Sequence, residues 1–465
     1  MNTLIYENIG RLITTVNQPI LLIGQAEKNP FLTLVIRQPY LSVLFDLDML
    51  GDLIQVQANS YKIIIFDNIL PQLDFLVVLD VAKQLLMPEG ELYIIDKIAQ
   101  DLPTVESHTT AQIAPYLIAQ AQRCGFELLQ NSEQKLLTFL QFKLQRNTRW
   151  RILPVTEQQK TATQALFKQV FGSNMSNDMW RWKYGQQRGV AIGVWQQDQM
   201  VAHYGGMQRR LSYFGEQRLG IQIGDVMVLA TERGRLTKHG PFFLSASTFS
   251  ERHVGYGTTH FLPYGFPNAR HIKVAEKLSI YAKVDDVVDI GWDTAAIARE
   301  SKWQYVKQLK KRKELNLVVN KLWDKMSNDL QQHIALVRDW EYVDYRYLQR
   351  PDKKYQFLVI YDVFLRPVGL VIIAIEPDFC RFMDYIGCLA HLPRVMHQIC
   401  AYLQQQGIEH INGWFSAAIA EHFAQAGGEV SETEIILPTI IWGQGIEVEN
   451  IKQRWWLTTG DTDFL

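Results

Sequence analysis

The stretch that decides the reading of this chain runs from residue 221 to residue 249, IQIGDVMVLATERGRLTKHGPFFLSASTF. Its first nine residues, Ile221–Leu229, are apolar except for Gln222, Gly224 and Asp225, the pattern of a buried strand. The next eleven, Ala230–Gly240, hold two glycines (Gly234, Gly240) and the cations Arg233, Arg235 and Lys238, a loop composition. Pro241 then opens a helix, because proline is preorganised for a first turn in which its missing N–H is no loss. Backbone N–H groups at such a helix start, with the dipole behind them and cations beside them, form a seat for phosphate groups. The bland alternative is a surface loop with ordinary charges.

Working outward, residues 150–230 carry a mixed pattern of strands and helices. Arg151–Thr156 reads as a strand, Glu157–Phe171 as an amphipathic helix and Trp180–Tyr184 as a short aromatic helix. Val190–Trp195, Met200–Ser212 and Leu219–Leu229 read as strands. An internal repeat also emerges. Met179-Trp180-Arg181-Trp182 is echoed by Asp344-Tyr345-Arg346-Tyr347, and each is followed by two apolar strands. Val201 lies 21 residues after Trp180, and Val368 lies 23 after Tyr345. Recurrence at matching spacing favours duplication, with the second copy at 331–465. The basic run Lys307–Lys313 reads as a solvated helix face.

The order of strand, Arg-Gly loop, helix, strand, Gly265-Phe266-Pro267-Asn268 and a further helix resembles the GNAT superfamily of acyl-CoA N-acyltransferases. Most similar are bacterial proteins with two GNAT-like halves. They share Gly-Asp-Val-Met-Val, Gly-Phe-Pro-Asn and a segment like Trp456-Leu457-Thr458-Thr459-Gly460-Asp461-Thr462-Asp463-Phe464. The resemblance covers roughly 150–465. It implies an acetyl-CoA-dependent (or other acyl-CoA-dependent) N-acyltransferase acting on an amine acceptor, with an aminoacyl donor as a minor option. In this reading Met227, Val228 and Leu229 offer backbone groups to the pantetheine arm. Arg233, Gly234, Arg235, Lys238, His239, Gly240 and Phe242 hold the pyrophosphate, and Asn268 joins the cofactor-binding set. The loop departs from the compact family pattern because Leu236–His239 separate the glycines. Two readings stay open: a longer loop, or phosphates seated on Gly240 and Phe242. Many members place a phenol near Ala275, and Tyr281 is the nearest here. His203, beside Tyr204, and Asp225 are further acid–base candidates, with Glu251 and His253 behind them. For each, a packed and hydrogen-bonded structural role is the commoner fate. The second copy has Cys388–Arg394 where the loop should be, so no acyl-CoA site is expected there.

Before residue 149 the pattern changes to alternating strand and helix. Ile20–Gly24, Ser42–Phe45, Lys62–Phe66 and Glu91–Ile95 read as buried parallel strands. Leu73–Met87 reads as a helix closed by the turn Pro88-Glu89-Gly90, which argues for a doubly wound sheet. Ile20–Gly24, Phe45-Asp46-Leu47-Asp48, Tyr61–Asp67, Leu85–Leu92 and Gly125-Phe126 resemble successive motifs of class I S-adenosylmethionine-dependent methyltransferases. That resemblance implies a ribose contact at Asp46 or Asp48 and an acceptor contact at Asp67. Gly24 stands alone where close backbone approach to the cofactor needs a Gly-x-Gly turn. A degenerate domain that does not bind S-adenosylmethionine is therefore expected, with methyl transfer, or a scaffold without catalysis, as the alternatives to acyl transfer.

The fold class is thus α/β and α+β: a Rossmann-like domain at 1–148 and two GNAT-like mixed-sheet domains at 149–330 and 331–465. About three domains also suit 465 residues at roughly 150 per domain. Lys and Arg number 47 against 48 Asp and Glu, a net charge of −1, so no nucleic-acid partner is expected. Apolar runs reach about eight residues where a membrane span needs about 20. The four cysteines have neither metal-ligand spacing nor disulfide density, which suits reduced thiols and a cytoplasmic location without a metal site. The oligomeric state is not legible.

Overall fold

The structure, a computed structural model, describes residues 3–24, 40–44, 47–68, 70, 73–96, 113–134, 137–145, 148–233, 237–256, 258–299, 304–376, 379–443 and 445–464. Its strands begin with β1 (Ile20–Gly24), β2 (Leu41–Leu44), β3 (Tyr61–Asp67), β4 (Leu86–Asp96), β5 (Phe126–Gln134), β6 (Leu137–Leu144) and β7 (Arg151–Pro154). Next come β8 (Gly189–Gln196), β9 (Gln199–Tyr213), β10 (Glu216–Val228), β11 (Leu262–Tyr264), β12 (Tyr281–Asp293), β13 (Gln304–Leu309) and β14 (Ile334–Leu336). The rest are β15 (Gln356–Asp362), β16 (Pro367–Ile375), β17 (Cys380–Gly387), β18 (His410–Ser416), β19 (Glu429–Ile440) and β20 (Trp455–Trp456). The longer helices are α1 (Thr3–Thr15), α2 (Leu50–Gln57), α3 (Phe75–Leu85), α4 (Ile113–Arg123) and α5 (Lys160–Phe171). They continue with α6 (Asn177–Tyr184), α7 (Pro241–His253), α8 (Ala269–Lys277), α9 (Arg312–Asp329) and α10 (Leu392–Gln405).

The chain divides into two compact units. The first holds Met1–Val170, Ala191–Tyr204 and Met227–Arg252; the second holds Phe171–Val190, Gly205–Val226 and His253–Leu465.

In the first unit, β2-β1-β3-β4-β6-β5 form one sheet. Strands β1 to β4 run parallel, and β6 and β5 join antiparallel. Their apolar runs, such as Ile20–Ile23 and Ile63–Phe66, are buried on both faces, which is why they lack alternation. Helix α3 starts at Asp74, whose carboxylate accepts from Leu76 N–H at 2.9 Å. It ends at Leu85, and Pro88-Glu89-Gly90 is not a closing turn but part of β4. Glu89 is left-handed at φ 57°, and the register jumps from Tyr61↔Leu86 to Ile63↔Glu91, so these residues bulge out of the strand. The same unit contains the β7–β8 pair and an apolar cluster of Leu166, Trp195, Met200 and Met227.

In the second unit, one sheet runs β11-β10-β9-β14-β20 and another β13-β15-β16-β17-β18-β12-β19. Strands β12 and β13, which precede residue 330, lie in the sheet built mainly from later strands, while β14 and β20 complete the sheet of β9 and β10. The basic run Lys307–Lys313 is not a helix face: Lys307 lies on β13 opposite Val359, and Arg312 opens α9. The two aromatic-Arg-aromatic motifs meet directly. Trp182 stacks on Tyr345 with ring centroids 5.2 Å apart and planes inclined by 15°. Trp182 Nε1 donates to the Tyr345 carbonyl at 2.9 Å, and the Tyr345 hydroxyl donates to the Trp182 carbonyl at 2.7 Å.

The segment Trp455–Asp463 is buried throughout. Arg346 holds it by donating to the carbonyls of Gly460 at 2.6 Å and Thr462 at 2.8 Å. Arg338, fully buried, bridges Asp384 at 2.7 Å and Asp461 at 2.6 Å. Interior charges persist only when compensated in this way.

Candidate functional site

The 221–249 stretch folds as its residues dictate: β10, a single 3₁₀ turn at Ala230–Glu232, a loop, and α7 opening at Pro241. In the first unit, Met227 is fully buried in the apolar cluster, so only its backbone can meet a ligand. Val228 closes β10, and its carbonyl accepts from Arg233 Nε at 3.0 Å. Leu229 N–H is already engaged by the Val201 carbonyl at 2.9 Å, which removes it as a free donor. Gly234 and Arg235 lie outside the described residues. Lys238 and His239 are exposed, and the His239 carbonyl accepts from Trp150 Nε1 at 3.2 Å. Gly240 is buried and donates to the Thr237 carbonyl at 2.9 Å, which shapes the approach to the helix. Phe242 is half-buried, with its ring 6.5 Å from Tyr204, whose other neighbour is Phe249 at 4.9 Å. His203 is buried on β9. At the far end of α7, Glu251 pairs with Arg123 and Arg252 with Asp74, so Glu251 serves packing. A cleft of about 580 Å³ opens in the same unit between α5 and the β8–β9 turn, lined by Leu166, Gln169, Asp198 and Met200, with none of 227–240 in its wall.

Asp225, Asn268 and Tyr281 belong to the second unit. Asn268 caps α8, its side chain accepting from His271 N–H at 3.0 Å. Tyr281 is the buried first residue of β12, opposite Ile440. Asp225 sits inside β10 with φ 50°, a left-handed conformation within a strand that continues to Val228. Its carboxylate accepts from Lys183 Nζ and from the Tyr184 hydroxyl, both at 2.7 Å. Lys183 also donates to Asp463 at 2.7 Å; Gln222 donates to Asp463 at 3.1 Å and accepts from Arg209 at 2.8 Å. Burial alone would push the Lys183 ammonium below its ordinary pKa, but Asp225 and Asp463 outweigh that and hold it above. Burial would raise the Asp463 carboxyl, and Lys183 pulls it down instead. Burial and then Asp225 push the Tyr184 phenol well up, so it stays protonated and donates.

Lys183 and Asp463 were not among the sequence candidates. Both lie in or beside motifs the sequence offers, Trp180–Trp182 and the 456–464 segment, but 280 positions separate them.

In the N-terminal sheet, Asp67 ends β3 and accepts from the Tyr6 hydroxyl at 3.0 Å. Burial raises its carboxyl to about 6, with Asp96 adding to the shift against the Tyr6 bond. Asp46 and the side chain of Asp48 lie outside the described residues. Among the described residues no cluster of metal-ligating side chains occurs, the four cysteines are free thiols, and no helix is long and apolar enough to cross a membrane.

Residues 151–239, which run from β7 through β10 into the loop, match the family model described as an Acetyltransferase (GNAT) domain. Among solved structures, a probable N-acyltransferase from Enterococcus faecalis V583 is similar at TM-score 0.50 and 12% identity, over 63% of this chain and 73% of its own. A GCN5-related N-acetyltransferase from Anabaena variabilis ATCC 29413 comes next at TM-score 0.48 and 14% identity, over 62% and 72%. Saccharomyces cerevisiae N-myristoyltransferase with bound myristoyl-CoA is similar at TM-score 0.44 and 10% identity, over 69% and 91%. No curated protein matches. The fold is therefore mixed α/β with GNAT-like architecture. The chain carries a GNAT acetyltransferase domain match at 151–239, which supports an acetyltransferase enzyme.

Proposed function

We propose that this protein transfers an acyl group, with acetyl-CoA as the first candidate donor, to a small-molecule, amino-sugar or peptide amine. The observation that carries this reading is the match of residues 151–239, which run from β7 through β10, to the GNAT acetyltransferase domain, with α7 opening just after it at Pro241. The N-terminus of α7, a helix of 13 residues, supplies dipole and N–H groups to the pyrophosphate, and the preceding stretch of sequence offers the charges of Arg233, Arg235 and Lys238. Gly240 lets backbone approach the phosphates, and backbone at Met227 and Val228 lies along the pantetheine arm.

The reaction asks little of side chains. The amine loses a proton and attacks the thioester carbon; the C–N bond forms, the C–S bond breaks, and the departing thiolate takes up a proton. Backbone N–H donors aimed at the carbonyl oxygen stabilise the charge that develops there. His203 and Tyr281 are the proton-transfer candidates. Asp225 is a weaker one, because Lys183 and Tyr184 hold its carboxylate.

The N-terminal region is read as a methyltransferase-related domain. Four parallel strands followed by an antiparallel pair, with Asp67 at the carboxyl end of β3, support that relationship. Its lone Gly24 speaks against a bound S-adenosylmethionine. The domain boundaries 1–148, 149–330 and 331–465 and an origin of the last two by duplication belong to the same proposal, supported by the meeting of Trp182 with Tyr345. A reduced, cytoplasmic setting fits four thiols outside any disulfide. The test is thiol release from acetyl-CoA with a panel of amines, run beside calorimetry with S-adenosylmethionine. Amine-dependent release supports acyl transfer; heat with S-adenosylmethionine alone reverses the assignment.

A further inference from the structure

Acyl transfer leaves two features of the second unit without a role: the basic run Lys307–Lys313 and the hairpin that joins β15 to β16. They share one surface. The hairpin turns through Val363, Phe364 and Leu365, and Asp362 closes it. The Asp362 carbonyl accepts from Leu365 N–H at 2.9 Å, and its amide donates to the Arg366 carbonyl at 3.0 Å. Its carboxylate accepts from the amides of Phe364 at 3.0 Å and Arg366 at 2.9 Å. In a three-residue hairpin loop the left-handed last position ordinarily falls to glycine. Here it holds Leu365, at φ 61°. Leu365 is 68% exposed and Phe364 73%, with Val363 exposed beside them. The chain thus sets a bulky apolar side chain in a backbone region that disfavours it, and buries little of it in return. Behind the tip, Tyr361 stacks on Tyr305 of the edge strand β13, with ring centroids 5.6 Å apart and planes inclined by 18°. Lys307, two residues along β13 on the same face, reaches Glu314 of α9 at 3.6 Å, and the charge of Glu314 also bears on Tyr361. Leu317, 71% exposed, and Lys321 follow on the Glu314 flank of α9, three and seven residues on. Five of the seven residues 307–313 are cations and none is acidic. Glu314 and Asp344 pair with three of them, which leaves the surface positive.

We propose that this surface docks on an anionic lipid bilayer, the Val363–Leu365 tip entering the headgroup layer while the Lys307–Lys313 run lies over acidic headgroups. Apolar insertion joined to electrostatic attraction is the physics of peripheral membrane binding. Tyr305 and Tyr361, set between the tip and the lysines, suit the depth at which amphipathic rings settle in a bilayer. A folded protein would have to offer a pocket matched to the tip, whereas a bilayer yields to protruding side chains. A nucleic acid would meet the cations and offer nothing to Leu365. The docking is independent of the acyl-CoA reading above.

The experiment is co-sedimentation of the full chain with vesicles of phosphatidylcholine alone and with about 30% phosphatidylserine added, at low and high salt. The wild type should partition onto the anionic vesicles, far less onto the neutral ones, and leave as salt rises. Lys310→Gln/Lys313→Gln should weaken that partition roughly 25-fold, about 5-fold for each cation. Phe364→Ser/Leu365→Gly should weaken it roughly 10-fold or more through lost apolar insertion. The Tm of this second variant should equal or exceed that of the wild type, because glycine takes φ near 61° without strain, so misfolding cannot account for its loss. A wild type that sediments with neither vesicle overturns the proposal. So does a Phe364→Ser/Leu365→Gly variant that partitions as the wild type does. If that variant and the wild type are also held equally by immobilised polyglutamate, the surface belongs to an acidic protein partner instead.

Discussion

Lys183→Met is the perturbation whose cost can be worked most directly. Lys183 is 5% exposed, and its ammonium lies 2.7 Å from each of two buried carboxylates. Methionine fills nearly the same volume but leaves Asp225 and Asp463 without their cation. Removing one partner from a buried ion pair costs about 3–5 kcal/mol. For a unit of this size, about 2–4 °C of Tm accompanies each kcal/mol, so a fall of roughly 6–20 °C is expected near pH 8. The pH dependence comes from the two shifts. In the wild type, the raised Lys183 contributes below about pH 10 and loses its effect as pH rises through its folded pKa. The lowered Asp463 contributes above about pH 4 and loses its effect as pH falls through its own. In the variant, Asp463 loses the cation that holds its carboxyl down, so the deficit should shrink toward pH 4. Lys183→Met/Asp225→Asn should recover more than half of the loss, since Asp463 then keeps the Gln222 hydrogen bond and the charges of Arg209 and Arg350. Calorimetric and denaturant unfolding at pH 8 and pH 5 measure this. A single variant within about 1 kcal/mol of wild type, or a double variant no better than the single, would refute the reasoning.

Two other sites give sharp expectations. Gly460→Ala places a Cβ against the Tyr347 hydroxyl and 3.2 Å from Asp384 Oδ2, so overpacking should cost about 1–3 kcal/mol in urea unfolding. Asp67→Asn should stabilise the first unit by about 2–3 kcal/mol at pH 8, where the native carboxyl, raised to about 6, is ionised against its preference. Because that raised pKa makes native stability fall as pH climbs from about 4 to 6, the advantage should vanish below pH 4 in pH-resolved thermal scans.

Local chemistry made β10, the turn and α7 legible, because an apolar run, a glycine-bearing loop and Pro241 each act within a few residues. The Trp180–Trp182 and Tyr345–Tyr347 motifs stood out for their matching pattern, and the structure shows that Trp182 and Tyr345 touch each other. Asn268 was read through the family resemblance, although an Asn just before a helix is also an N-cap signature, the role it fills. Pro88-Glu89-Gly90 misled because turn residues serve equally well in a bulge within a strand. The Lys183–Asp463 contact could not be read at all. Nothing local to either residue announces a partner 280 positions away, and a buried lysine looks like a surface one until its carboxylates are placed.

The central claim, that the loop ahead of α7 holds the phosphates of an acyl-CoA, is tested most directly by calorimetric titration of the full chain with acetyl-CoA, dephospho-CoA and pantetheine. Charge-assisted contacts to phosphate are worth about 1.5–3 kcal/mol each, so Arg235→Ala should weaken acetyl-CoA and dephospho-CoA by roughly 10- to 150-fold and leave pantetheine unchanged. Gly240→Val should weaken the same two ligands through backbone crowding. Normal acetyl-CoA binding by both variants, or none by the wild type, would contradict the account.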